Sequence, residues 1–341
     1  MVLVTGATGI VGRTLLYHLL ASGVEKVVGQ RRATSDVHDV LQTFLDFDPD
    51  RGRELFEKII WRQADLLQPE SLPDLLAGIS EVYHAAAMVS FDPKDDKKLF
   101  QTNVEGTRHL LYAVEDSAVK KFCYISSIAT LDGKNEQGEG DEEQYFNPKL
   151  RHSEYQRTKF LAEMEVWRAS AEGLNCVIVN PGMIIGSGNW QSSSGVLFST
   201  ALNSPFTFSG GTGYVDVRDV ADVAIELMAQ NHFGERFLLV SENWSYQKFY
   251  DAVRQRTDQK PIKVLPDWLL TVMKFIAPML SPFSRLMRMA TRPNLEALTG
   301  FTPYSNDKIR ERLNFHFIAV EDSIRFHLQN YLRHKKSNHD K

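Results

Sequence analysis

Residues 2–12 read Val2-Leu3-Val4-Thr5-Gly6-Ala7-Thr8-Gly9-Ile10-Val11-Gly12, and the amphipathic run Arg13 to Ala21 follows. The β-branched start predicts a buried strand, the later run predicts a helix, and three glycines at intervals of three occupy the turn between them. Each glycine has its own task. Gly6 permits a tight turn, Gly9 lets backbone approach a pyrophosphate at the helix N-terminus, and Gly12 lets the helix pack closely on the sheet. Glycine spacing alone is weak in a chain with 21 glycines. Its position between strand and helix makes it a dinucleotide turn, with Thr8 and Ile10 beside the cofactor.

The second strand ends in Gly29-Gln30-Arg31-Arg32-Ala33-Thr34-Ser35. At this place an acid binds the ribose hydroxyls of NAD, whereas a basic residue accommodates the 2′-phosphate of NADP. No acid stands there and Asp36 comes late, so Arg31 and Arg32 favour NADP, with NAD as the alternative.

Further strands are expected at Lys26 to Gln30, Ile59 to Gln63, Glu81 to His84, Lys121 to Ser126 and Cys176 to Val179, with helices over Lys98 to Asp116 and Ser153 to Ala171. This alternation predicts an α/β fold, a Rossmann-type doubly wound parallel sheet covered on both faces. Gly23 and Gly173 stand where helix C-termini want a left-handed residue, and Ser153 with Gln156 forms a capping box. From Gly182 to Gly213 the pattern turns to glycine, serine and proline. A helical run returns at Asp219 to Gln230, and beyond Ser245 helices punctuated by proline continue to Val320 to Leu332. We therefore expect a dinucleotide domain over 1–181, rejoined by 214–240. A smaller, mainly helical substrate region takes 182–213 and 241–333, and a frayed tail takes 334–341.

Composition bounds the partners. The 43 acidic and 39 basic residues are well mixed, with a net charge of -4, and no basic face advertises nucleic acid. Cys123 and Cys176 sit in apolar runs without metal-ligand spacing, so both read as reduced core thiols and no metal site is expected. No leader pattern precedes the first strand, which reads as cytoplasmic. Trp268 to Met289 is the most apolar stretch, but Lys274, Pro278, Pro282, Arg285 and Arg288 interrupt it below the length of a span. It is expected to pack on its own domain, with a position on a membrane surface as the alternative.

Six motifs in order resemble the extended short-chain dehydrogenase/reductase family over nearly the whole chain. They are the Thr5–Gly12 turn, Ala64-Asp65-Leu66, His84-Ala85-Ala86-Ala87, Asn103-Val104-Glu105-Gly106-Thr107, Ser126-Ser127 and Tyr155-Gln156-Arg157-Thr158-Lys159. The resemblance implies adenine-side binding by Asp65 and Leu66, and a cofactor ribose beside Ala85 and Ala86. It further implies cofactor contact at Pro181 and Gly182, catalysis by Ser127, Tyr155 and Lys159 with support from Asn103, and a homodimer through the helices near Asn103 and Tyr155. Tyrosine precedes lysine by four residues at three other places, Tyr145/Lys149, Tyr304/Lys308 and Tyr331/Lys335, so spacing alone decides nothing. Only Tyr155 and Lys159 open a capped helix directly after the serine strand.

The implied chemistry is interconversion of a carbonyl and a secondary alcohol. Tyr155 is the general acid and base, its pKa lowered by Lys159 and the oxidised nicotinamide, Ser127 donates to the substrate oxygen, and Lys159 also holds the ribose hydroxyls of the cofactor. Val179-Asn180-Pro181-Gly182 and Asp141-Glu142-Glu143 resemble the dihydroflavonol reductase and 3β-hydroxysteroid dehydrogenase branch, implying a fairly apolar small-molecule substrate. Trp190, Phe198, Phe206 and Phe208 are candidate pocket walls, and each reads equally as core. Two alternatives stand beside this reading: a nucleotide-sugar epimerase or dehydratase with retained NAD, and a cofactor-sensing protein without catalysis. His84 reads as hydrogen-bonded scaffold, and the acids of Val215-Asp216-Val217-Arg218-Asp219 as caps of the next helix.

Overall fold

The computed structural model of the chain describes residues 1–188, 190 and 196–337. Strand β1 (Val2–Thr5) sends Leu3 and Val4 to opposite faces, and both are fully buried, so the strand lies between two covered faces. The glycine turn leads into α1 (Ile10–Ala21). Alternation continues through β2 (Val27–Arg31), α2 (His38–Phe47), α3 (Gly52–Glu57), β3 (Ile60–Gln63), α4 (Leu72–Leu76) and β4 (Glu81–His84). Then come α5 (Asp96–Phe100), a wide turn over Gln101–Glu105, α6 (Gly106–Glu115), β5 (Lys121–Ile125), α7 (Glu154–Ala171) and β6 (Asn175–Pro181). Next are β7 (Met183–Ile185), α8 (Val196–Asn203), β8 (Phe206–Thr207), β9 (Gly211–Asp216), α9 (Val217–Ala229) and β10 (Glu235–Leu239). The C-terminal part holds β11 (Glu242–Ser245), α10 (Tyr246–Gln255), β12 (Lys263–Val264), α11 (Asp267–Leu280), α12 (Arg285–Met289), α13 (Arg292–Thr299), α14 (Asp307–Leu313) and α15 (Val320–Ser337).

Seven strands form one parallel sheet in the order β10-β6-β5-β4-β1-β2-β3. Chain order reverses between β1 and β4, and every carboxyl end lies along the same edge, the place where open parallel sheets bind ligands. Alternate side chains feed two cores. Val4, Val27, Tyr83, Cys123 and Val177 face α1 and α9, while Leu3, Val28, Val82, Phe122 and Ile178 face α6 and α7. Each fully buried aliphatic chain contributes on the order of 1.5–3 kcal/mol, which makes this sheet a rigid platform. Both cysteines are free core thiols, and burial pushes Cys176 up to about 12.

The capping box opens α7 as expected: Ser153 accepts from the Gln156 amide at 3.3 Å and the Gln156 side chain accepts from the Ser153 amide at 2.9 Å. Gly23 and Gly173 take positive φ after α1 and α7. The segment read as irregular over 182–213 is more regular than its composition implies. Its strand β7 joins β9 and β11 in a second, three-stranded sheet, so β9 lies outside the main sheet while α9 and β10 return to it. Residues 189 and 191–195 of that segment lie outside the described residues. Helix α15 continues through Ser337, past His334 where fraying was expected, and 338–341 also lie outside the described residues. Among the described residues no helix is long and apolar enough to cross a membrane, and no cluster of metal-ligating side chains occurs.

Candidate active site

The glycine turn sits at the carboxyl edge of β1. Gly6 has φ +61°, and a Cβ there would stand 2.6 Å from the Cα of Ala86, so the turn and the loop after β4 touch backbone to backbone. A Cβ on Gly12 would come within 2.2 Å of the Gly6 carbonyl oxygen; this glycine presses the helix onto the turn. At Gly9 only the Gly6 oxygen stands near the Cβ position, and the residue is exposed. Helix α1 has no side-chain cap and no acid in its first turn, so its first amides and the positive end of its dipole face open space beside Thr8 and Gly9. That cradle fits a pyrophosphate. Ile10 is half-buried and reaches toward Gly186.

Two residues missed in the sequence brace the turn. Gln30 is buried; its Oε1 accepts from the Gly6 amide at 3.0 Å and its Nε2 donates to the Ala64 carbonyl at 2.7 Å, tying β1 to the end of β3. Arg13 is buried beneath the turn, donates to the Gly9 carbonyl at 3.2 Å, and is lowered to about 10 by loss of solvent. A polar residue inside Val27-Val28-Gly29-Gln30 and an arginine on the apolar face of α1 were the available signals. Arg31 ends β2 and Arg32 follows, exposed; neither has an ion pair among the described residues, and the buried Nε of Arg31 has no hydrogen-bond partner. Asp65 accepts from the Leu67 amide at 3.0 Å, and Leu66 is a core residue whose carbonyl accepts from His109. Pro181 ends β6, and Gly182 lies so near Gly213 that a Cβ would meet its carbonyl oxygen at 2.4 Å.

Ser126 and Ser127 leave the end of β5 in different directions. The Ser126 hydroxyl donates to Glu163 at 2.5 Å, whereas Ser127 caps the turn that follows and lies close enough to the Tyr155 phenol to lower its pKa. Burial acts more strongly in the opposite direction and raises Tyr155. Lys159 lies one turn along α7, fully buried. Its amine donates to the Ile125 carbonyl at 2.7 Å and the Tyr124 hydroxyl at 2.9 Å, over the Tyr124 ring. Burial lowers it to about 7, and Glu163 opposes that shift. The net shift of Tyr155 is thus upward, with Ser127 as the group that counters burial; Lys159, expected to lower the phenol, is itself depressed and bonded to β5.

Glu163, a further turn along α7, was not singled out in the sequence, although an acid four residues after Lys159 on the face carrying Ala162 and Val166 was the signal. Its buried carboxylate accepts from Ser126, Thr130 and Asn180, and pairs with Arg236 at 3.3 Å. Asn103 is buried in the wide turn before α6. It bonds the Met88 backbone in both directions and donates to Thr158 at 3.2 Å, so it fixes the loop after β4 to the residue beside Lys159 and not to the lysine. His84 is scaffold: Thr107 donates to the Asn103 carbonyl, which leaves its oxygen to accept from His84 Nε2, and Nδ1 accepts from Thr5 at 2.6 Å. Burial lowers this imidazole to about 3.

The aromatic beside Tyr155 is Phe91, with centroids 5.8 Å apart, a residue no motif marked. Phe198 is instead a fully buried core residue stacked on Tyr331, with Trp190 packed against both; they build the C-terminal core rather than a pocket wall. Phe208 packs with Leu270 and Ala277, and Phe206 is exposed beside it. Asp216 caps α9 as expected and also holds Arg218 and the buried His327.

The family model of the NAD dependent epimerase/dehydratase family matches residues 2–239. The chain belongs to this family. Curated relatives of this extended dehydrogenase/reductase include sterol demethylase protein B of Methylococcus capsulatus, 32% identical over 83% of this chain and 82% of that protein. A putative dihydroflavonol 4-reductase of Synechocystis is also 32% identical, over 83% and 80%. Among solved structures, gox2253 superposes with a TM-score of 0.82 at 26% identity over 98% of both chains. The match to the family model ends with β10, whereas the superposition on gox2253 extends over 98% of the chain and so takes in the C-terminal helices.

Proposed function

We propose that this protein is an NADP-preferring oxidoreductase that interconverts a carbonyl and a secondary alcohol on an apolar small molecule. One observation carries the reading: Lys159, one turn after Tyr155 on α7, is bonded to the Ile125 carbonyl two residues before Ser127, while Ser126 is held by Glu163, at the sheet edge that carries the glycine turn. When bound, the nicotinamide supplies the hydride in reduction and takes it in oxidation. Tyr155 gives its phenolic proton to the substrate oxygen in reduction and recovers it in oxidation. Ser127 donates a hydrogen bond to the same oxygen and stabilises the negative charge that grows there. Lys159 keeps its amine on the Tyr124 hydroxyl and the Ile125 carbonyl and would hold the ribose hydroxyls of a bound cofactor; Asn103 positions α7 through Thr158.

Support for NADP comes from Arg31 and Arg32, which have no carboxylate partner among the described residues and close the strand that would face the 2′-phosphate. Support for an apolar substrate comes from Phe91 on Tyr155 and from relatives named for a sterol and a dihydroflavonol. Tyr112 and Met164 project exposed from α6 and α7, which favours a homodimer through those helices. The test is NADPH oxidation against ketosteroids, flavonoid-like ketones, β-keto acids and small aldehydes. Consumption with an apolar ketone is expected. Purification with tightly held NAD and action without net cofactor turnover would instead assign the epimerase reading.

A further inference from the structure

Helix α11 is amphipathic in the wrong sense for a domain packed on all sides. Leu270 and Ala277, seven residues apart, are buried against the domain, yet the outward face is also apolar. Trp268, Val272, Phe275 and Met279 follow at intervals of three or four and form one stripe on α11; Phe283 in the turn beyond it and Leu286 of α12 are exposed next along the chain. Trp268 is 64% exposed, Phe275 72%, Met279 76% and Phe283 87%. Side chains this exposed and this large are not left in water at helical spacing without a partner.

Charge narrows the partner. From Trp268 through Leu295 there is no aspartate or glutamate, while Lys274, Arg285, Arg288 and Arg292 flank the stripe. Glu296 pairs with Lys274 at 3.7 Å and Asp92 takes both Arg288 at 2.6 Å and Arg285 at 3.6 Å; four cations against two carboxylates leave this face net positive, and two copies meeting through it would bring like charge together, so self-association is disfavoured. An anionic, fluid and apolar surface matches both properties.

The patch is also coupled to the site. Arg288 grips Asp92 through both carboxylate oxygens, at 2.6 and 2.9 Å, and Asn294 of α13 donates to the Phe91 carbonyl at 3.0 Å. Phe91 is the ring packed on Tyr155. The helices bearing the apolar stripe are therefore bonded to the segment that walls the reacting phenol.

We propose that α11 and α12 dock the protein onto the surface of an anionic lipid bilayer, with Trp268, Phe275, Met279 and Phe283 inserted at headgroup depth and Arg285 on the phosphates. The corollary, that an apolar substrate passes from the bilayer to Tyr155 along Phe91, rests on the function proposed above; the docking itself does not.

The experiment is co-sedimentation of the full chain with vesicles of phosphatidylcholine and phosphatidylglycerol at about 3:1, and with phosphatidylcholine alone. Binding to the mixed vesicles is expected to exceed binding to the neutral ones by roughly tenfold, with a blue shift of emission that Trp268→Phe abolishes. The double variant Phe275→Ser with Phe283→Ser is expected to lose binding roughly tenfold or more at unchanged melting temperature, because both side chains are exposed. Arg285→Glu is expected to weaken binding to the mixed vesicles only. Wild-type protein left in the supernatant of both vesicle types would overturn the proposal. So would a concentration-dependent dimer that the double variant abolishes, which would give the face to a second copy. No substrate or NADPH is present, so failure of the proposed reaction leaves this result standing.

Discussion

The Lys159 amine donates to the Ile125 carbonyl at 2.7 Å, inside the protein and at the end of the strand that carries Ser127. An amine held there without solvent prefers to be neutral, and burial brings it from the ordinary lysine range to about 7. Between pH 7 and 10 the unfolded chain therefore binds more protons at this residue than the folded chain does, and stability rises with pH. Lys159→Met is expected to remove that rise, worth on the order of 1.4 kcal/mol per pH unit, and the check is denaturant unfolding of both proteins across the window. Parallel curves would contradict it.

His84 gives the opposite test region. Its neutral form is locked between Thr5 and Thr107 and its pKa is lowered to about 3, so the stability it supports is complete above pH 6.5 and is lost as the pH falls toward 3. His84→Gln is expected to be less stable at pH 7 yet to lose less on acidification, as thermal melts at pH 7 and pH 4.5 would register.

Removing the phenolic oxygen in Tyr155→Phe is expected to lower kcat by about 10²–10⁴ while leaving NADPH affinity within a few fold. Ser127→Ala is expected to lower kcat by about 10²–10³, and Ser126→Ala to act on stability instead, since Ser126 bonds Glu163. Steady-state rates together with cofactor titration separate the two serines.

Arg31→Ala with Arg32→Ala is expected to weaken NADP binding by roughly tenfold or more while NAD binding changes little, because only the 2′-phosphate loses a partner. Fluorescence titration with both dinucleotides reads the ratio directly.

Buried Glu163 accepts from Ser126, Thr130 and Asn180 and pairs with Arg236, one turn along α7 from Lys159. Glu163→Ala is expected to cost roughly 3 kcal/mol, since it leaves the charge of a largely buried arginine without its carboxylate and takes from Ser126 its acceptor, while Thr130 and Asn180 keep the Ser127 carbonyl. The same change lowers the Lys159 pKa further, because Glu163 is the group that raises it.

The main sheet was legible because its strands are β-branched runs with helices of clear period between them, and the glycine turn, the capping box at Ser153 and the Ser127–Tyr155–Lys159 constellation all lie on such elements. What stayed hidden depends on tertiary contact. Gln30 and Glu163 look like ordinary polar residues until the fold buries them, and Phe91 sits in a loop whose course is set by Asn103 and by Arg288 and Asn294, from two distant parts of the chain. The small sheet of β7, β9 and β11 escaped notice because its strands are short, with pairing supplied by segments far apart in sequence. Phe198 and Trp190 misled for the converse reason: a large aromatic in an irregular segment reads equally as a pocket wall or as core, and only packing against Tyr331 decides.

The most direct measurement is the stoichiometry of one reaction, with NADPH loss followed at the same time as product in the presence of an apolar ketone. One secondary alcohol formed for each NADPH consumed, with the rate abolished in Tyr155→Phe, is the predicted result. Product formed without net NADPH consumption, or NADPH consumption that Tyr155→Phe leaves intact, would contradict the assignment of Tyr155 as the proton donor of a carbonyl reduction.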